Sequence, residues 1–164
     1  MGVNMARRFK LYPLPPFLDG VVSEEQYSKW LYGRTVAHVN RDKKINPAAN
    51  RTSYCEAIHA AVWESKGLDA YTNEPLDWHL IGTYNNEHSK LHGRAYKARY
   101  GLLPSVDHVE SRTGPVIFKI CGWRTNDAKN DLSVEEFVSL CRRVVACLGD
   151  EKTHSIVSSE REIS

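Results

Sequence analysis

An α+β fold is what this chain of 164 residues predicts, and three observations predict it. Ser-x-x-Gln or Ser-x-x-Glu openings at Ser23, Ser53 and Ser133 precede apolar residues at helical spacing. Two short segments rich in β-branched and aromatic residues, one from Pro104 to Val109 and one from Val116 to Arg124, flank Gly114-Pro115 and read as a β-hairpin. An abrupt change to polar residues at Thr125 then opens a helix, so the middle of the chain reads strand, strand, helix.

Taken in order, residues 1–22 are rich in Pro and aromatics and read as an extended arm over the surface. Ser23 opens a helix to about Tyr32, with Tyr27, Trp30 and Leu31 as its apolar face. A basic linker follows, broken by Asn46-Pro47 and Asn50. Ser53 opens the next helix, with Tyr54, Ile58, Ala61 and Val62 on one face and Gly67 as its stop. Residues 69–78 read as a hairpin or tight turn around Asn73-Glu74-Pro75, and residues 86–99 as a polar surface helix interrupted at Gly93. Ser133 starts the clearest helix, with Phe137, Leu140, Cys141, Val144, Val145 and Leu148 inward and Gly149 as stop. Residues 150–164 read as a disordered tail. The expected organisation is therefore an arm, helix and linker over 1–52, the main domain over 53–149, and the tail.

Composition is that of a soluble globular protein, 41% hydrophobic and 26% charged, with a net charge of only +2. The distribution of charge says more. Arg34, Arg41, Lys43, Lys44 and Arg51 face one acid, Asp42, between residues 34 and 51. Lys90, Arg94, Lys97 and Arg99 have none among residues 90–99, and Tyr96 and Tyr100 interleave with them. Two such clusters beside the hairpin fit a polyanion better than a small neutral ligand. The four cysteines, Cys55, Cys121, Cys141 and Cys147, form no Cys-x-x-Cys pair. Buried thiols are expected rather than a disulfide framework or a structural zinc site. Arg7-Arg8 is followed by Pro13, Pro15 and Pro16 rather than by an apolar run, so neither a signal peptide nor a membrane span is expected. The expected location is the cytoplasm.

Asp107 and His108 on the first strand, and Asn126 at the start of the helix, offer a carboxylate, an imidazole and an amide for one site. Asp-His is a common dipeptide, and the bland alternative is a strand end with Asn126 as a helix cap. His88 and His92 stand four apart on the basic helix, but no glutamate supports a metalloprotease pattern there. Trp30, Trp63 and Trp78 read as core, while Trp123 beside the hairpin fits either core or a binding platform.

Asp107-His108, a hairpin, and then Cys121-Gly-Trp-Arg-Thr-Asn126-Asp-Ala-Lys129 resemble the HNH (ββα-metal, or His-Me finger) endonucleases. Many of these carry Asp-His and, a hairpin later, Cys-x-x-Cys-Asn/His-x-x-Lys and a helix. The likeness spans roughly residues 55–147 and is specific over 104–132. It implies helices around a central ββα-metal motif that hydrolyses DNA phosphodiesters, RNA not being excluded, with Mg²⁺ or Mn²⁺. By the same resemblance His108 is the general base, and Asp107 and Asn126 are metal ligands. Arg124 contacts phosphate or the transition state, and Lys129 contacts the nucleic-acid backbone. Asn130, four residues after Asn126, is an alternative ligand or a supporting group, and Lys43, Lys44, Lys90, Arg94, Lys97 and Arg99 are the expected nucleic-acid contacts. Two departures stand out. The upstream turn lacks the zinc-knuckle cysteines, and residues 109–120 contain no Asn to orient the histidine. Ser111, Thr113 or a backbone carbonyl are the expected replacements. The runner-up is a nucleic-acid-binding module on the same fold without turnover, and a third reading is a helical interaction protein.

Overall fold

In the computed structural model, which describes residues 11–109 and 113–161, Ser23 caps the first long helix, α1 (Glu24–Asp42), in the reciprocal pattern its sequence predicts. Ser23 Oγ accepts from Gln26 N at 3.1 Å, and Gln26 Oε1 accepts from Ser23 N at 2.8 Å. The helix does not stop near Tyr32. It continues to Asp42 because its inward face keeps helical spacing past Gly33, with Thr35, His38, Val39 and Asp42 all buried. Three of those four are polar, which is why the stretch resembles a linker by composition.

The second helix, α2 (Arg51–Ser65), is capped by Asn50, whose side chain accepts from Ser53 N at 3.0 Å; Ser53 is inside the first turn. Its inward residues are Tyr54, Ile58, Ala61 and Val62, and it ends in left-handed Lys66 and Gly67. The tight turn forms where expected, with a bridge between Leu68 and Pro75 and left-handed Asn73. The basic helix α3 (Asn86–Ala98) is broken at Gly93, whose φ of 53° and ψ of −128° suit glycine alone. Strands β1 (Pro104–His108) and β2 (Phe118–Gly122) pair antiparallel, and α4 (Trp123–Lys129) begins directly after β2, two residues ahead of Thr125. Asn126 is therefore inside a helix rather than at its cap.

The chain divides after Ala128 into two compact units. In the second, Ser133 and Glu136 form the predicted capping box at the start of α5 (Val134–Arg161). The helix runs on through Gly149, a residue that costs a helix only about 1 kcal/mol against alanine. The expected inward face is not covered: Leu140, Val144, Val145 and Leu148 are exposed, as are Cys141 and Cys147. Of the thiols expected to be buried, Cys121 is and Cys55 is partly so. No helix among the described residues is long and apolar enough to cross a membrane.

In the first unit β2 packs on α2, and α2 on α1. The core between them joins Tyr27, Leu31 and Val39 to Tyr54, Ile58 and Val62, and to Val106, Phe118 and Ile120 of the hairpin. Leu18 and Val22 are also in this core, so that part of the arm is packed rather than laid over the surface; Met1–Lys10 lie outside the described residues. Asp69 ties the turn to the hairpin. Its buried carboxylate accepts from Gly122 N at 2.6 Å and Thr125 Oγ1 at 2.7 Å, and from Tyr71 N at 2.8 Å and Thr72 N at 3.1 Å. Four donors on one buried carboxylate are worth more than its desolvation costs. Asp69→Ala is expected to lower stability by about 3 kcal/mol or more, because it strands buried N–H groups. Urea unfolding beside Glu74→Ala, an exposed residue of the same turn, measures this.

Candidate active site

The hairpin has two chemically different faces because its register is unbroken. Val106 faces Ile120 and His108 faces Phe118 on one side, while Ser105 faces Cys121 and Asp107 faces Lys119 on the other. Backbone pairing even extends beyond His108, with Val109 N donating to Ile117 O at 3.1 Å. No bulge turns Asp107 and His108 to the same side, so consecutive side chains leave the ribbon in opposite directions.

On the core-facing side, α1 reaches His108. The His108 ring packs on Phe118 at 4.7 Å and on His38 at 4.9 Å between centroids. Its Nε2 lies 2.7 Å from Asp42 Oδ2, and its Nδ1 lies 3.0 Å from Arg41 Nη2. A guanidinium only donates, so Nδ1 is the accepting nitrogen and the proton sits on Nε2, directed at Asp42. The same Arg41 nitrogen donates to His38 Nδ1 at 2.7 Å. The Arg41 side chain is 46% exposed, while that of Asp42 is fully buried and that of His108 only 9% exposed. A neutral imidazole is thus held in one tautomer, with its accepting nitrogen against the half-exposed guanidinium of Arg41.

Asp42 is the anchor. Burial by itself raises a carboxyl, but the Tyr54 hydroxyl at 2.9 Å, the His108 contact and Arg41 together hold Asp42 below its usual value. It is therefore ionised at neutral pH. His38 behaves oppositely: burial, with Arg41 and His108 adding, pushes it down to about 3, so it stays neutral.

On the other face Asp107 is buried, and its Oδ2 accepts from the Tyr71 hydroxyl at 2.5 Å. Burial and this carboxylate raise the Tyr71 phenol, which keeps its proton. Lys119 lies over the Tyr71 ring, 5.5 Å from its centroid. Asn126 is half-buried and its Nδ2 donates to Ser105 Oγ at 2.9 Å. Ser105 is two residues from Asp107 on the same face, so Asp107 and Asn126 share a side of the ribbon. With Nδ2 engaged, Asn126 presents an amide oxygen. One carboxylate and one amide oxygen are hard donors of the kind that Mg²⁺ and Mn²⁺ take. No group of three or more His, Cys, Asp or Glu near enough to share an ion occurs among the described residues.

The remaining expected residues are elsewhere. Arg124 is held by Ala98 O at 3.0 Å and lines a cleft with Lys90, Arg94 and Lys97, so the structure groups it with the basic helix rather than with His108. Lys129 is buried, which takes its ammonium off the surface, whereas Lys43, Lys44 and Arg99 are exposed. Asn130 follows the end of α4 with φ of 52°, a terminating conformation asparagine tolerates, and so leaves the helical face of Asn126. Tyr96 and Tyr100 are buried and hydrogen-bonded to each other at 3.0 Å, so neither is a stacking platform. Ser111 lies outside the described residues, and Thr113 is an exposed turn residue. Asp42, Arg41, His38 and Tyr71 were not anticipated. Inward spacing of His38 and Asp42 after Tyr27, Leu31 and Thr35 was the available signal.

Comparison with known proteins finds no matching family model, no similar curated protein and no similar solved structure.

The pH dependence of stability follows from His38. A group whose folded pKa is depressed from 6.5 to about 3 binds its proton in the unfolded chain first, so stability falls as pH drops through that window. Asp42, also depressed, adds its loss only below its ordinary value near 3.8. Between pH 7 and pH 5 we expect His38 to account for a loss of about 2 kcal/mol. His38→Gln, which keeps an acceptor for Arg41, should remove that part of the slope in urea unfolding.

Proposed function

We propose that the protein is a metal-dependent endonuclease that hydrolyses DNA phosphodiester bonds. The observation that carries this reading is His108, locked as the Nε2–H tautomer by Asp42 with Nδ1 toward the surface. That is the state a general base requires. Support also comes from the strand–strand–helix order of β1, β2 and α4, which resembles the ββα-metal arrangement, and from the oxygen donors Asp107 and Asn126.

Arg41 turns from the two imidazoles onto the phosphodiester, which brings the anion to His108 and uncovers Nδ1. Nδ1 then takes a proton from water as the water oxygen bonds to phosphorus. The P–O bond to the 3′-oxygen breaks and the departing alkoxide takes a proton from solvent, leaving 5′-phosphate and 3′-hydroxyl ends. Asp42 stays ionised and stabilises the imidazolium that forms. A divalent ion held by Asp107 and Asn126 would supply charge stabilisation on the phosphate and departing oxygen. In this reading Asp42, carried by α1, takes the orienting role that no hairpin asparagine fills.

A second reading is favoured by one observation: Asp107 and His108 leave the ribbon on opposite faces. A binding module that keeps the fold without turnover has no need for them to meet.

Plasmid nicking with Mg²⁺, Mn²⁺ or EDTA separates the two. The nuclease reading expects metal-dependent nicking that His108→Ala abolishes at matched folding. Binding without nicking by the wild type leaves the module. Asp42→Asn keeps the shape but removes the charge that fixes the tautomer, and is expected to slow nicking about 100-fold or more with DNA affinity little changed. Unchanged nicking in that variant would remove Asp42 from the mechanism.

A further inference from the structure

A strongly cationic concavity in the first unit is on neither face of His108 or Asp107. It is a cleft of about 770 Å³ between α3 and the start of α4, with Lys90, Arg94, Lys97 and Arg124 against one carboxylate, Asp127. Lys90 is partly answered by Glu87 at 2.9 Å, and Arg94, Lys97 and Arg124 carry the remaining charge. The kink at Gly93 is part of its wall.

Two features make this more than a charged surface. First, Arg124 is seated. Its guanidinium lies so close over Gly101 that an added Cβ would stand 2.7 Å from Cζ and Nη2, and Nη2 donates to Ala98 O at 3.0 Å. Its backbone N also donates to Gly101 O at 3.0 Å. The bare backbone of Gly101 and the Ala98 carbonyl favour one placement of this exposed guanidinium, which lowers the cost of ordering it on an anion. Second, the wall holds a half-buried indole, Trp123. Tyr84 meets Trp123 at an interplanar angle of 77° rather than stacking on it, so at least one indole face is not covered by that ring.

We infer that this cleft binds one nucleotide of an unpaired nucleic-acid strand, its base against Trp123 and its phosphates on Arg94, Lys97 and Arg124. Phosphate alone needs no indole, and a free aromatic ligand needs no row of cations; a nucleotide uses both. A duplex presents its phosphates outside and keeps its bases stacked inside, so only an unstacked base can meet Trp123 at the wall of a concavity. The inference deepens the nuclease reading and rests on it for the choice of a polymer over a free nucleotide. It gives the substrate a single-stranded or locally opened segment beside the cleavage site.

Binding to the full-length His108→Ala chain in EDTA tests this without cleavage. The probes are fluorescently labelled oligo(dT) of about 12 nucleotides, a duplex of equal length, and thymidine monophosphate as competitor. The expected result is oligo(dT) bound at least tenfold tighter than duplex, with strong salt dependence and no competition from micromolar monophosphate. Trp123→Ala should lose about tenfold in oligo(dT) affinity, and Trp123→Phe should recover most of it. Gly101→Ala shifts the Arg124 guanidinium without touching its charge and should weaken binding less than Arg124→Ala does. Because Trp123 also packs on the core, thermal melts of each variant accompany the titrations, and Arg94→Ala, at an exposed position, gives a second reading of the site. Equal or tighter duplex binding overturns the inference, as does oligo(dT) affinity indifferent to Trp123→Ala and Arg94→Ala. Monophosphate competing at the oligonucleotide's own affinity makes the ligand a free nucleotide and overturns the polymer. These outcomes are independent of nicking by the wild type, so failure of the nuclease reading is distinguishable from failure of the cleft.

Discussion

A carboxylate with no exposed surface, Asp42, joins three elements of the first unit. It ends α1, accepts the Tyr54 hydroxyl from α2, and holds the His108 ring of β1. An ionised carboxylate in an apolar interior is tolerated only when donors surround it. That requirement brings helix and hairpin together at one register. A slip of β1 by one residue would put Asp107, a second carboxylate, where His108 now sits, so the pair also selects which face of the ribbon turns inward. His38 and Phe118 pack around the imidazole and seal the link from solvent.

The other face is assembled by a different segment. Asp69 fastens the 68–75 turn to β2 and α4, and the turn delivers Tyr71 to Asp107. The His108 face and the Asp107 face of the hairpin are therefore built by segments on either side of α2. Arg41 is the most exposed side chain around His108, at 46% against 9% for His108 itself.

Local signals in the sequence were strong wherever the physics is local. The reciprocal caps at Ser23 and Ser133, the Gly93 break, the left-handed Asn73 and the antiparallel hairpin all depend on residues within a few positions of one another. Asp107, His108 and Asn126 were legible as chemistry-bearing residues from their place on the hairpin and helix. Misreadings arose where burial reversed composition. The end of α1 resembles a loop because its inward residues are polar, and α5 resembles a core helix because its apolar residues keep helical spacing, although Leu140, Val144, Val145 and Leu148 are exposed.

What the sequence determined by itself is the set of elements and the polar residues on them, because backbone preference and capping act over one or two turns. What only the tertiary structure decided is the pairing of those residues. Asp42 meets His108 across 66 positions, Tyr71 meets Asp107 across 36, and Arg124 settles on Gly101 instead of beside the imidazole. None of these follows from spacing, because each is set by how α1, the 68–75 turn and α3 pack around the hairpin. Burying a charge next to its partner is a property of that packing rather than of any segment within it.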